Sequence, residues 1–449
     1  MGKLFGTDGI RGVANEYPMT ANMALEIGKA TAHIFKKEGH QPRIIVGKDT
    51  RISGYMIENA LVSGICSMGV DAILVGPMPT PGIAYLTSSM RADAGIVISA
   101  SHNPFQDNGI KIFSGDGYKL PDEKEREIEE MVSANEMHRL HPSPERLGKA
   151  YRIDGARDRY IVFLKSTFPK EYLLEGVKVV LDCANGATYR VGPDTFFELG
   201  ATVKTIFDQP DGRNINDNCG SQHVETLAEE VVRTKSDVGF AFDGDGDRVI
   251  AVDEQGSVLT GDQLMAVCAR AMKEKGLLRN NLVVATVMSN VGFGMAMREL
   301  GIDYVTTKVG DRYVLEEMIA RDASIGGEES GHLIFRNHHT TGDGILSALQ
   351  VMEVMKREGK PLSELARVMK VYPQKIVNVD VKSKPEISSI PEIVKVIEEV
   401  ELKLGEAGRV LVRYSGTQSM CRVMVEGPTD EETAAHCKAI ADVVRSKLA

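Results

Sequence analysis

The stretch KVVLDCANGATYRVGPDTFFELGATVKTIF, residues 178–207, contains the pattern that decides the fold. An apolar strand-like run leads into a polar loop, an amphipathic helical segment, a glycine and a second β-branched run. The glycine, Gly200, stands where the C-terminal cap of a helix requires a positive φ. Short apolar strands that alternate with helices predict βαβ units and largely parallel sheets.

The same pattern occurs twice more in the chain. It occurs in RIIVGKDTRISGYMIENALVSGICSMGVDAILVG, residues 43–76, and in LVVATVMSNVGFGMAMRELGIDYVTTKVG, residues 282–310. Gly69 and Gly301 take the place of Gly200 in these two copies. The repeated pattern predicts three related α/β domains in a row.

The C-terminal part of the chain has a different pattern. QKIVNVDVKSK, GRVLVRYSGT and CRVMVEG alternate like half-buried strands, and DEETAAHCKAIADVVRSKL has the period of an amphipathic helix. Grouped strands with segregated helices predict a small α+β domain. The expected fold is therefore α/β, with three related domains built on mixed sheets and a C-terminal α+β domain. The predicted domains are 1–155, 156–254, 255–369 and 370–449.

Composition excludes several classes of protein. The net charge of −10 argues against general nucleic-acid binding, although a local basic cleft can still attract a small anion. No apolar run is long enough for a transmembrane helix, and the start MGKLFGTDGI lacks the apolar region of a secretory signal. The six scattered cysteines contain no CxxC pair, which favours a reducing compartment over disulfides or zinc. We therefore expect a cytoplasmic protein.

The loop ISASHNPFQDNGIK, residues 98–111, is the first of four candidates for chemistry. Ser101 follows an apolar strand, so we expect it at the strand end, exposed in a crevice, with His102 and Lys111 near its oxygen. The expected turn residues are Asn103, Pro104, Asp107, Asn108 and Gly109. A plain polar turn with a surface histidine is the alternative. A serine hydrolase is disfavoured, because no GxSxG elbow is present.

The loop AFDGDGDRVIAVD, residues 241–253, is the second candidate. Asp243, Asp245 and Asp247 repel one another unless a cation lies between them, and the intervening glycines let the backbone turn all three toward one ion. An EF-hand is disfavoured, because Arg248 stands where glycine is required and a strand precedes the loop. The alternative is an acidic surface turn. Three carboxylates leave room for a phosphate, as is usual for Mg²⁺.

The other two candidate loops suit a sugar and a phosphate. GGEESGH, residues 326–332, offers Glu328, Ser330 and His332 to sugar hydroxyls. RYSGTQSMCR, residues 413–422, offers a guanidinium, hydroxyls and backbone N–H groups to a phosphate. A polar glycine-rich loop and a hairpin turn are the respective alternatives. Together the four loops predict one site for a sugar phosphate.

These motifs resemble those of the α-D-phosphohexomutases, and the resemblance runs from end to end. The matching motifs are FGTDGIRG, GKDTR, ISASHNP, FDGDGDR, KVGDR, GEESGH, TTGDG and RYSGT, in the order of the family. The resemblance implies a heart-shaped protein of four domains, with one motif from each domain meeting in a central cleft. It also implies that the fourth domain resembles the TATA-box-binding-protein fold.

The resemblance also implies roles for individual residues. Ser101 corresponds to the serine that is phosphorylated in the resting enzyme, and it would be the fourth metal ligand beside Asp243, Asp245 and Asp247. Glu328 and Ser330 correspond to sugar-binding residues. The phosphate clamp corresponds to Arg413, Ser415, Gly416 and Thr417. The basic residues around the reacting phosphoryl group correspond to Arg11, His102, Lys111, Arg248 and His332. A general base among His102, Lys111 and His332 would accept the hydroxyl proton.

The expected activity interconverts glucosamine 6-phosphate and glucosamine 1-phosphate, in the synthesis of UDP-N-acetylglucosamine precursors. It would use one Mg²⁺ per chain and a hexosamine 1,6-bisphosphate as intermediate and primer. The alternatives are a mutase for glucose or mannose phosphates, a non-catalytic sugar-phosphate sensor and a calcium-buffering protein. The expected partner is a small sugar phosphate, with no nucleic acid and no membrane. The chain itself is expected to be a monomer or a homodimer.

Two positions depart from the family pattern. The family usually continues RxSGT with Glu-Pro, where this chain has Gln418 and Ser419, so a rigid proline is missing from the loop. The sugar loop has Glu329 where hexosamine-specific members often have Gln or Asn. A carboxylate there suits a 2-ammonium group, and members that act on mannose phosphates also have Glu at this place.

Overall fold

The computed structural model describes residues 4–6, 8–36, 40–134, 142–415 and 419–449. The chain forms two compact units: Met1–Val287 with Asp303–Ala366, and Met288–Ile302 with Arg367–Ala449. None of the described helices has both the length and the apolar character that a membrane span requires.

The first sheet of the first unit has six strands in the order β1-β5-β4-β2-β3-β6. Its strands are β1 (Ile10–Val13), β2 (Arg43–Lys48), β3 (Asp71–Pro77), β4 (Ala94–Ile98), β5 (Asp107–Ser114) and β6 (Ala150–Arg152). Its helices are α1 (Ala21–Phe35), α2 (Ser53–Ser67), α3 (Thr80–Ser89) and α4 (Asp122–Ala134). Strands β4, β2, β3 and β6 are parallel, whereas β5 runs antiparallel between β1 and β4. Strand β4 is buried along its whole length, which explains its continuous apolar sequence.

The second sheet repeats the parallel centre with five strands in the order β11-β10-β9-β7-β8. Its strands are β7 (Lys178–Asp182), β8 (Thr202–Ile206), β9 (Val238–Phe242), β10 (Val249–Asp253) and β11 (Val258–Leu259). Its helices are α5 (Ala156–Ser166), α6 (Thr188–Glu198) and α7 (Glu225–Thr234). Strands β9 and β10 form an antiparallel pair, so the loop between them leaves the sheet at the carboxyl end of β9.

The third sheet has four strands in the order β13-β12-β14-β15. Its strands are β12 (Leu282–Thr286), β13 (Asp303–Thr307), β14 (Ile325–Gly327) and β15 (Leu333–Phe335). The helices of this part of the sequence are α8 (Gly261–Glu274), α9 (Val291–Glu299), α10 (Asp311–Ala320), α11 (Gly344–Glu358) and α12 (Leu362–Leu365). Strands β13, β12 and β14 are parallel, and β15 returns antiparallel to β14.

The second unit combines an antiparallel sheet with helices. Its strands, in the order β16-β18-β17, are β16 (Gln374–Asp380), β17 (Arg409–Tyr414) and β18 (Met420–Glu426). Its helices are α9, α13 (Pro391–Leu404) and α14 (Asp430–Leu448). Helix α9 belongs to this unit because it lies in the segment Met288–Ile302. Val423 and Val425 of β18 pack with Ile440 and Val444 of α14 in one core. The predicted class, three α/β domains with mixed sheets followed by an α+β domain, is confirmed.

Two local predictions have different outcomes. Gly69, Gly200 and Gly301 have φ of +83°, +97° and +61°, as the helix-capping argument requires. The turn predicted through Asp107, Asn108 and Gly109 is wrong, because these residues begin β5. They pair there with Val13, Gly12 and Arg11 of β1. The polar residues misled the prediction, since a neighbouring strand decides whether such a segment stays extended.

Candidate functional site

Side chains from separate loops of the first unit line a pocket of about 420 Å³. They include Asp8 from the N-terminal loop, Arg11 from β1, Arg248 from the β9–β10 loop, and Glu328 and His332 from the β14–β15 loop. The volume falls in the range of about 300–1,000 Å³ that is typical of small-molecule sites. The loop after β4 adds Ser101 beside the β9–β10 loop. The structure therefore gathers residues that lie far apart in the sequence.

Ser101 lies in the loop that follows β4. Its Oγ donates a hydrogen bond of 2.6 Å to Asp243 Oδ2 and lies 3.2 Å from His102 Nδ1. Its backbone has φ +53°, a conformation that an L-residue adopts only when its surroundings hold it. The expectation of an exposed serine is wrong, since only 1% of Ser101 is exposed. Contacts from the first and second sheets enclose it.

Arg51 holds the Ser101 loop in place. Its guanidinium is fully buried and donates to the carbonyl oxygens of Ser101, at 2.9 Å, and Asn103, at 2.8 Å. Its other terminal nitrogen donates to the carbonyls of Pro104 and Asp107. Because the planar donors of arginine reach several carbonyls at once, one side chain fixes the whole loop.

Asp49 supports both Arg51 and the start of the loop. Its carboxylate accepts from Arg51 Nε at 2.8 Å and from Ser99 Oγ at 2.6 Å. Ser99 Oγ in turn accepts from the backbone N–H of Ser101 at 3.0 Å. Burial raises the pKa of Asp49, although the Arg51 guanidinium favours its charged form. This chain of bonds gives Ser101 a rigid support.

The β9–β10 loop brings Asp243, Asp245 and Asp247 together. They are buried, and one carboxylate oxygen from each lies within 4.8 Å of the others. Gly246 between them has φ +72°, which lets the backbone reverse inside the loop. A strand lies on either side of the loop, so the helix–loop–helix of an EF-hand is absent from this described segment. All-oxygen donors in this arrangement suit a hard divalent cation.

The electrostatics of the three aspartates indicate that a positive charge belongs among them. Burial, with the negative charges of Asp247 and Asp245, raises the pKa of Asp243 well above its ordinary value. Burial has the same tendency at Asp247, but Lys111 and His332 prevail and lower the pKa of that carboxyl well below its usual range. The pKa shifts of Asp243 and Asp247 have opposite directions, because the neighbouring cations outweigh burial at Asp247 but not at Asp243.

Lys111, in β5, supplies one positive charge at this place. Its Nζ donates to Asp245 Oδ2 at 2.9 Å and forms ion pairs with Asp8 Oδ2 at 3.1 Å and Asp247 Oδ2 at 3.5 Å. Although burial opposes the charged form, Asp245 and Asp8 raise the pKa of Lys111 well above its ordinary value. Lys111 is therefore a buried cation beside the acidic loop.

His332 and Glu328 come from the β14–β15 loop. His332 Nδ1 lies 3.7 Å from Asp247 Oδ1, and its Nε2 lies 3.6 Å from Asp311 Oδ2. Burial opposes protonation, but Asp247 prevails and raises the pKa of His332. Glu328 Oε1 accepts from the backbone N–H of Gly310 at 2.9 Å. Ser330 is half-buried in the same turn.

Several buried polar atoms in the described part of the chain have no hydrogen-bond partner, and many of them lie here. They are Arg11 Nε, Asp245 Oδ1, Asp247 Oδ1, Arg248 Nε and His332 Nε2. Buried polar groups are normally paired, so such a concentration indicates that a polar ligand or ion completes the site.

His102 and Arg248 flank Ser101. Arg248 Nη1 lies 3.2 Å from His102 Nδ1. Burial and the nearby Arg248 lower the pKa of His102 to about 4. Burial works against the charge of Arg248, but Asp247 raises the pKa of its guanidinium further. The site thus contains a neutral imidazole and a permanent cation beside the serine.

The residues predicted for phosphate binding belong to the second unit. Arg413 lies in β17 directly opposite Arg422 of β18, and both line a pocket of about 390 Å³ on the sheet. Two guanidinium groups in direct register on one sheet suit the binding of an anion such as a phosphate. Ser415 is buried at the end of β17. Gly416, Thr417 and Gln418 lie outside the described residues.

Four further residues of the sequence motifs contact the site, although the sequence analysis predicts no role for them. Asp8, Asp49, Arg51 and Asp311 stand inside the motifs FGTDGIRG, GKDTR and KVGDR. Their place in those motifs was the available signal. Lys119 lies outside all motifs, and only its contacts in the structure bring it to notice.

The described site and fold define a phosphohexomutase. All four domain models of the phosphoglucomutase/phosphomannomutase family match the chain: domain I over residues 2–139, II over 158–256, III over 260–372 and the C-terminal domain over 376–443. The chain belongs to this family, and it is an isomerase of the phosphohexomutase type. The domain boundaries drawn from the sequence remain predictions.

Curated relatives carry a more particular name. A phosphoglucosamine mutase of Syntrophus aciditrophicus is 72% identical over 448 residues, with 100% of each chain covered. Another, from Syntrophobacter fumaroxidans, is 60% identical over 448 residues, again with 100% of each chain covered. The chain is thus similar to phosphoglucosamine mutases over its whole length.

Solved structures share the fold at low identity. A phosphoglucomutase/phosphomannomutase family protein of Burkholderia thailandensis is 23% identical, with a TM-score of 0.81 over 99% of this chain and 97% of that one. An Aspergillus fumigatus N-acetylphosphoglucosamine mutase, solved with GlcNAc-6P and magnesium, is 16% identical, with a TM-score of 0.66 over 99% of this chain and 95% of that one.

Proposed function

We propose that this chain interconverts glucosamine 6-phosphate and glucosamine 1-phosphate through a phosphorylated Ser101 and a hexosamine 1,6-bisphosphate. The observation that carries the proposal is the placement of Ser101 Oγ, 2.6 Å from Asp243 within a buried acidic cluster. Full-length relatives named phosphoglucosamine mutase support the choice of sugar.

The proposed reaction is two successive phosphoryl transfers. In the first, the bond between Ser101 Oγ and phosphorus breaks, and a bond forms between phosphorus and the 1-hydroxyl oxygen of glucosamine 6-phosphate. The hydroxyl proton passes to a base, and Ser101 Oγ regains a proton. The bisphosphate then reorients, and its 6-phosphoryl group returns to Ser101 by the reverse sequence. Atoms and charge balance, because the phosphoserine enzyme is restored.

The acidic cluster fits a resident Mg²⁺. Asp243, Asp245 and Asp247 would hold it, because their oxygens converge and the Oδ1 atoms of Asp245 and Asp247 have no hydrogen-bond partner. When bound, the ion would offset negative charge on the transferring phosphoryl group. A phosphoryl group on Ser101 Oγ would complete the set of ligands, since that atom already bonds Asp243.

The chain's own cations are proposed to stabilise the transferring group. Lys111, Arg248 and Arg11 lie around the acidic cluster and stay charged in a buried site. Preorganised charges in such a site act without the reorganisation that water would need. His332, between Asp247 and Asp311, is proposed to contact the same group or the sugar.

Proton transfer is proposed to involve His102, Lys111 or His332. Of these candidates, His102 has a ring nitrogen within hydrogen-bond distance of Ser101 Oγ, at 3.2 Å. This contact favours His102 as the group that exchanges a proton with Ser101. Lys111 instead points its Nζ at the acidic loop.

Substrate recognition is proposed to use two loops. Glu328 and Ser330 would bind sugar hydroxyls, and the carboxylate of Glu329 would suit the 2-ammonium group. Arg413, Ser415, Gly416 and Thr417 are proposed to hold the phosphate that does not react. The opposed Arg413 and Arg422 of the second unit support a phosphate-binding role for this sheet.

The test compares turnover of glucosamine, glucose and mannose 6-phosphates by the purified enzyme with Mg²⁺ and catalytic bisphosphate. We expect the highest kcat/KM for glucosamine 6-phosphate. A preference for mannose or glucose 6-phosphate would replace the substrate assignment. Binding of all three without any isomerisation would leave a sugar-phosphate sensor as the better interpretation.

We also propose a cytoplasmic location and a monomer or homodimer. The six cysteines are free, and five of them are buried, which suits a reducing compartment. Fractionation of the source cells tests the location. Light scattering on the purified protein tests the oligomeric state, and a mass above that of a dimer would contradict it.

A further inference from the structure

Lys119 is a largely enclosed lysine that the reaction described above does not use. It follows β5, and its backbone bridges to Phe113 of that strand. Only 11% of its side chain is exposed. Its Nζ donates to Asp8 Oδ1 at 2.5 Å and to Asp311 Oδ2. One ammonium group therefore forms ion pairs with two carboxylates that lie about 300 residues apart in the sequence.

Both carboxylates also contact residues of the active site. Asp8 Oδ2 pairs with Lys111 at 3.1 Å, and Asp311 Oδ2 lies 3.6 Å from His332. Asp247 then connects Lys111, at 3.5 Å, with His332, at 3.7 Å. The result is a closed ring of alternating charge: Lys119, Asp8, Lys111, Asp247, His332 and Asp311.

The ring joins all three α/β parts of the first unit. Asp8, Lys111 and Lys119 belong to the first sheet's segment, Asp247 to the second and Asp311 to the third. Asp311 begins α10, next to Gly310, whose N–H donates to Glu328 at 2.9 Å. Lys119 is thus linked through Asp311 and Gly310 to the sugar loop, and through Asp8 to Lys111.

We propose that Lys119 is a positioning residue, which holds the sugar-binding loop at a fixed distance from the phosphoryl-transfer residues by bridging Asp8 and Asp311. The inference rests on the proposed function, because it concerns the geometry of that reaction. Without the ammonium group, Asp8 and Asp311 would repel each other across the pocket that they line. The loop that carries Glu328 and His332 would then shift relative to Lys111.

The size of the effect follows from the indirect role. Lys119 is not among the residues that line the 420 Å³ pocket, so we expect its loss to act through Asp8 and Asp311, which do line it. Supporting residues of this kind typically change activity by about 10- to 100-fold when they are removed. A purely structural ion pair would instead lower stability and leave kcat and KM of the folded enzyme unchanged.

The experiment measures kcat, KM and melting temperature for full-length Lys119→Met, Lys119→Arg and Lys275→Met enzymes. Lys275→Met is the matched control, since Lys275 also pairs with a buried carboxylate, Glu353, at 3.0 Å, but lies away from the pocket. We expect Lys119→Met to lower kcat/KM by about 10- to 100-fold. Lys119→Arg, which keeps the charge, should recover most of this loss, and Lys275→Met should keep the wild-type kinetics.

Hydrogen exchange of residues 309–311 and 328–332 is the second readout, made without substrate. Faster exchange there in Lys119→Met than in wild type supports the positioning role, even if that variant is too unstable for kinetics. If Lys119→Met has the kcat/KM and the hydrogen exchange of the wild type, the positioning role is refuted and the proposed function is not affected. A wild-type enzyme that turns over no sugar phosphate would overturn the proposed function first, and the positioning role with it.

Discussion

The acidic cluster of the first unit and one buried acid of the second unit have opposite surroundings. In the first unit, Asp245 and Asp247 are buried, yet the Oδ1 atom of each has no hydrogen-bond partner. In the second unit, Glu426 is fully buried and accepts five hydrogen bonds from four residues. The donors are Val291 N at 2.8 Å, Arg409 Nε at 2.7 Å and Nη2 at 3.3 Å, Gln374 Nε2 at 2.9 Å and Asn290 Nδ2 at 3.3 Å.

The difference indicates that Asp245 and Asp247 can bind a ligand, whereas Glu426 stabilises the fold. A saturated carboxylate such as Glu426 has no free lone pair to offer, and it fixes the start of α9 to the C-terminal sheet. Unsaturated carboxylates raise the free energy of the empty site, and a bound cation removes that penalty. Both kinds of carboxylate are buried, so burial does not distinguish them. They differ in whether every carboxylate oxygen accepts a hydrogen bond.

Ser101→Ala should produce the largest effect on activity. It removes the atom that we propose to carry the phosphoryl group, and we expect turnover to fall to background. Intact mass spectrometry should show a phosphorylated species in the wild type that is absent from the variant. Full mutase activity in Ser101→Ala would contradict the phosphoserine mechanism.

Asp245→Asn should affect function without damaging the fold. It removes one anionic ligand, so activity should be lost or should require far more Mg²⁺. In EDTA the free energy of unfolding should change little, because the lost repulsion from Asp243 and Asp247 offsets the lost ion pair with Lys111. Wild-type turnover that survives EDTA would refute the metal assignment, and a large loss of stability would make Asp245 a structural acid like Glu426.

Arg413→Ala should weaken binding of the non-reacting phosphate by about 1.5–3 kcal/mol, the range for hydrogen bonds to charged groups. Steady-state kinetics should show the loss in kcat/KM and also in kcat, because that phosphate positions the substrate. An unchanged kcat/KM would mean that the phosphate is held elsewhere.

Glu426→Gln should affect stability more than chemistry. The amide cannot accept all five hydrogen bonds, and the two from the Arg409 guanidinium lose their charge assistance. We expect a loss of about 1.5–3 kcal/mol in the free energy of unfolding. Denaturant titration measures it, with Glu392→Gln, which changes an exposed acid of the same unit, as the control. If the two variants are equally stable, Glu426 does not stabilise the fold, and the difference drawn between it and the acidic cluster is wrong.

Restoring the family's Glu-Pro at Gln418 and Ser419 should have the smallest effect. A compatible proline stabilises by about 0.4–1 kcal/mol, chiefly by restricting the unfolded chain. We therefore expect a small rise in melting temperature and a change in kcat/KM below that of Arg413→Ala. A larger kinetic change than that of Arg413→Ala would show that loop rigidity limits phosphate binding more than the guanidinium does.

The sequence by itself determined the repeated strand–helix pattern, the α+β end and the acidic loop. These features are local: they depend on periodicity, on helix-capping glycines such as Gly200, and on aspartates spaced by single glycines. It also placed Ser101 at a strand end, but not its burial or the extended Asp107–Gly109, because neighbouring sheets and strands decide both. Only the tertiary structure assigned Arg51 to the Ser101 loop and Lys119 to Asp8 and Asp311, contacts that span 50, 111 and 192 residues of sequence. No local pattern encodes such contacts, since they form only when segments that lie far apart in the sequence have folded against one another.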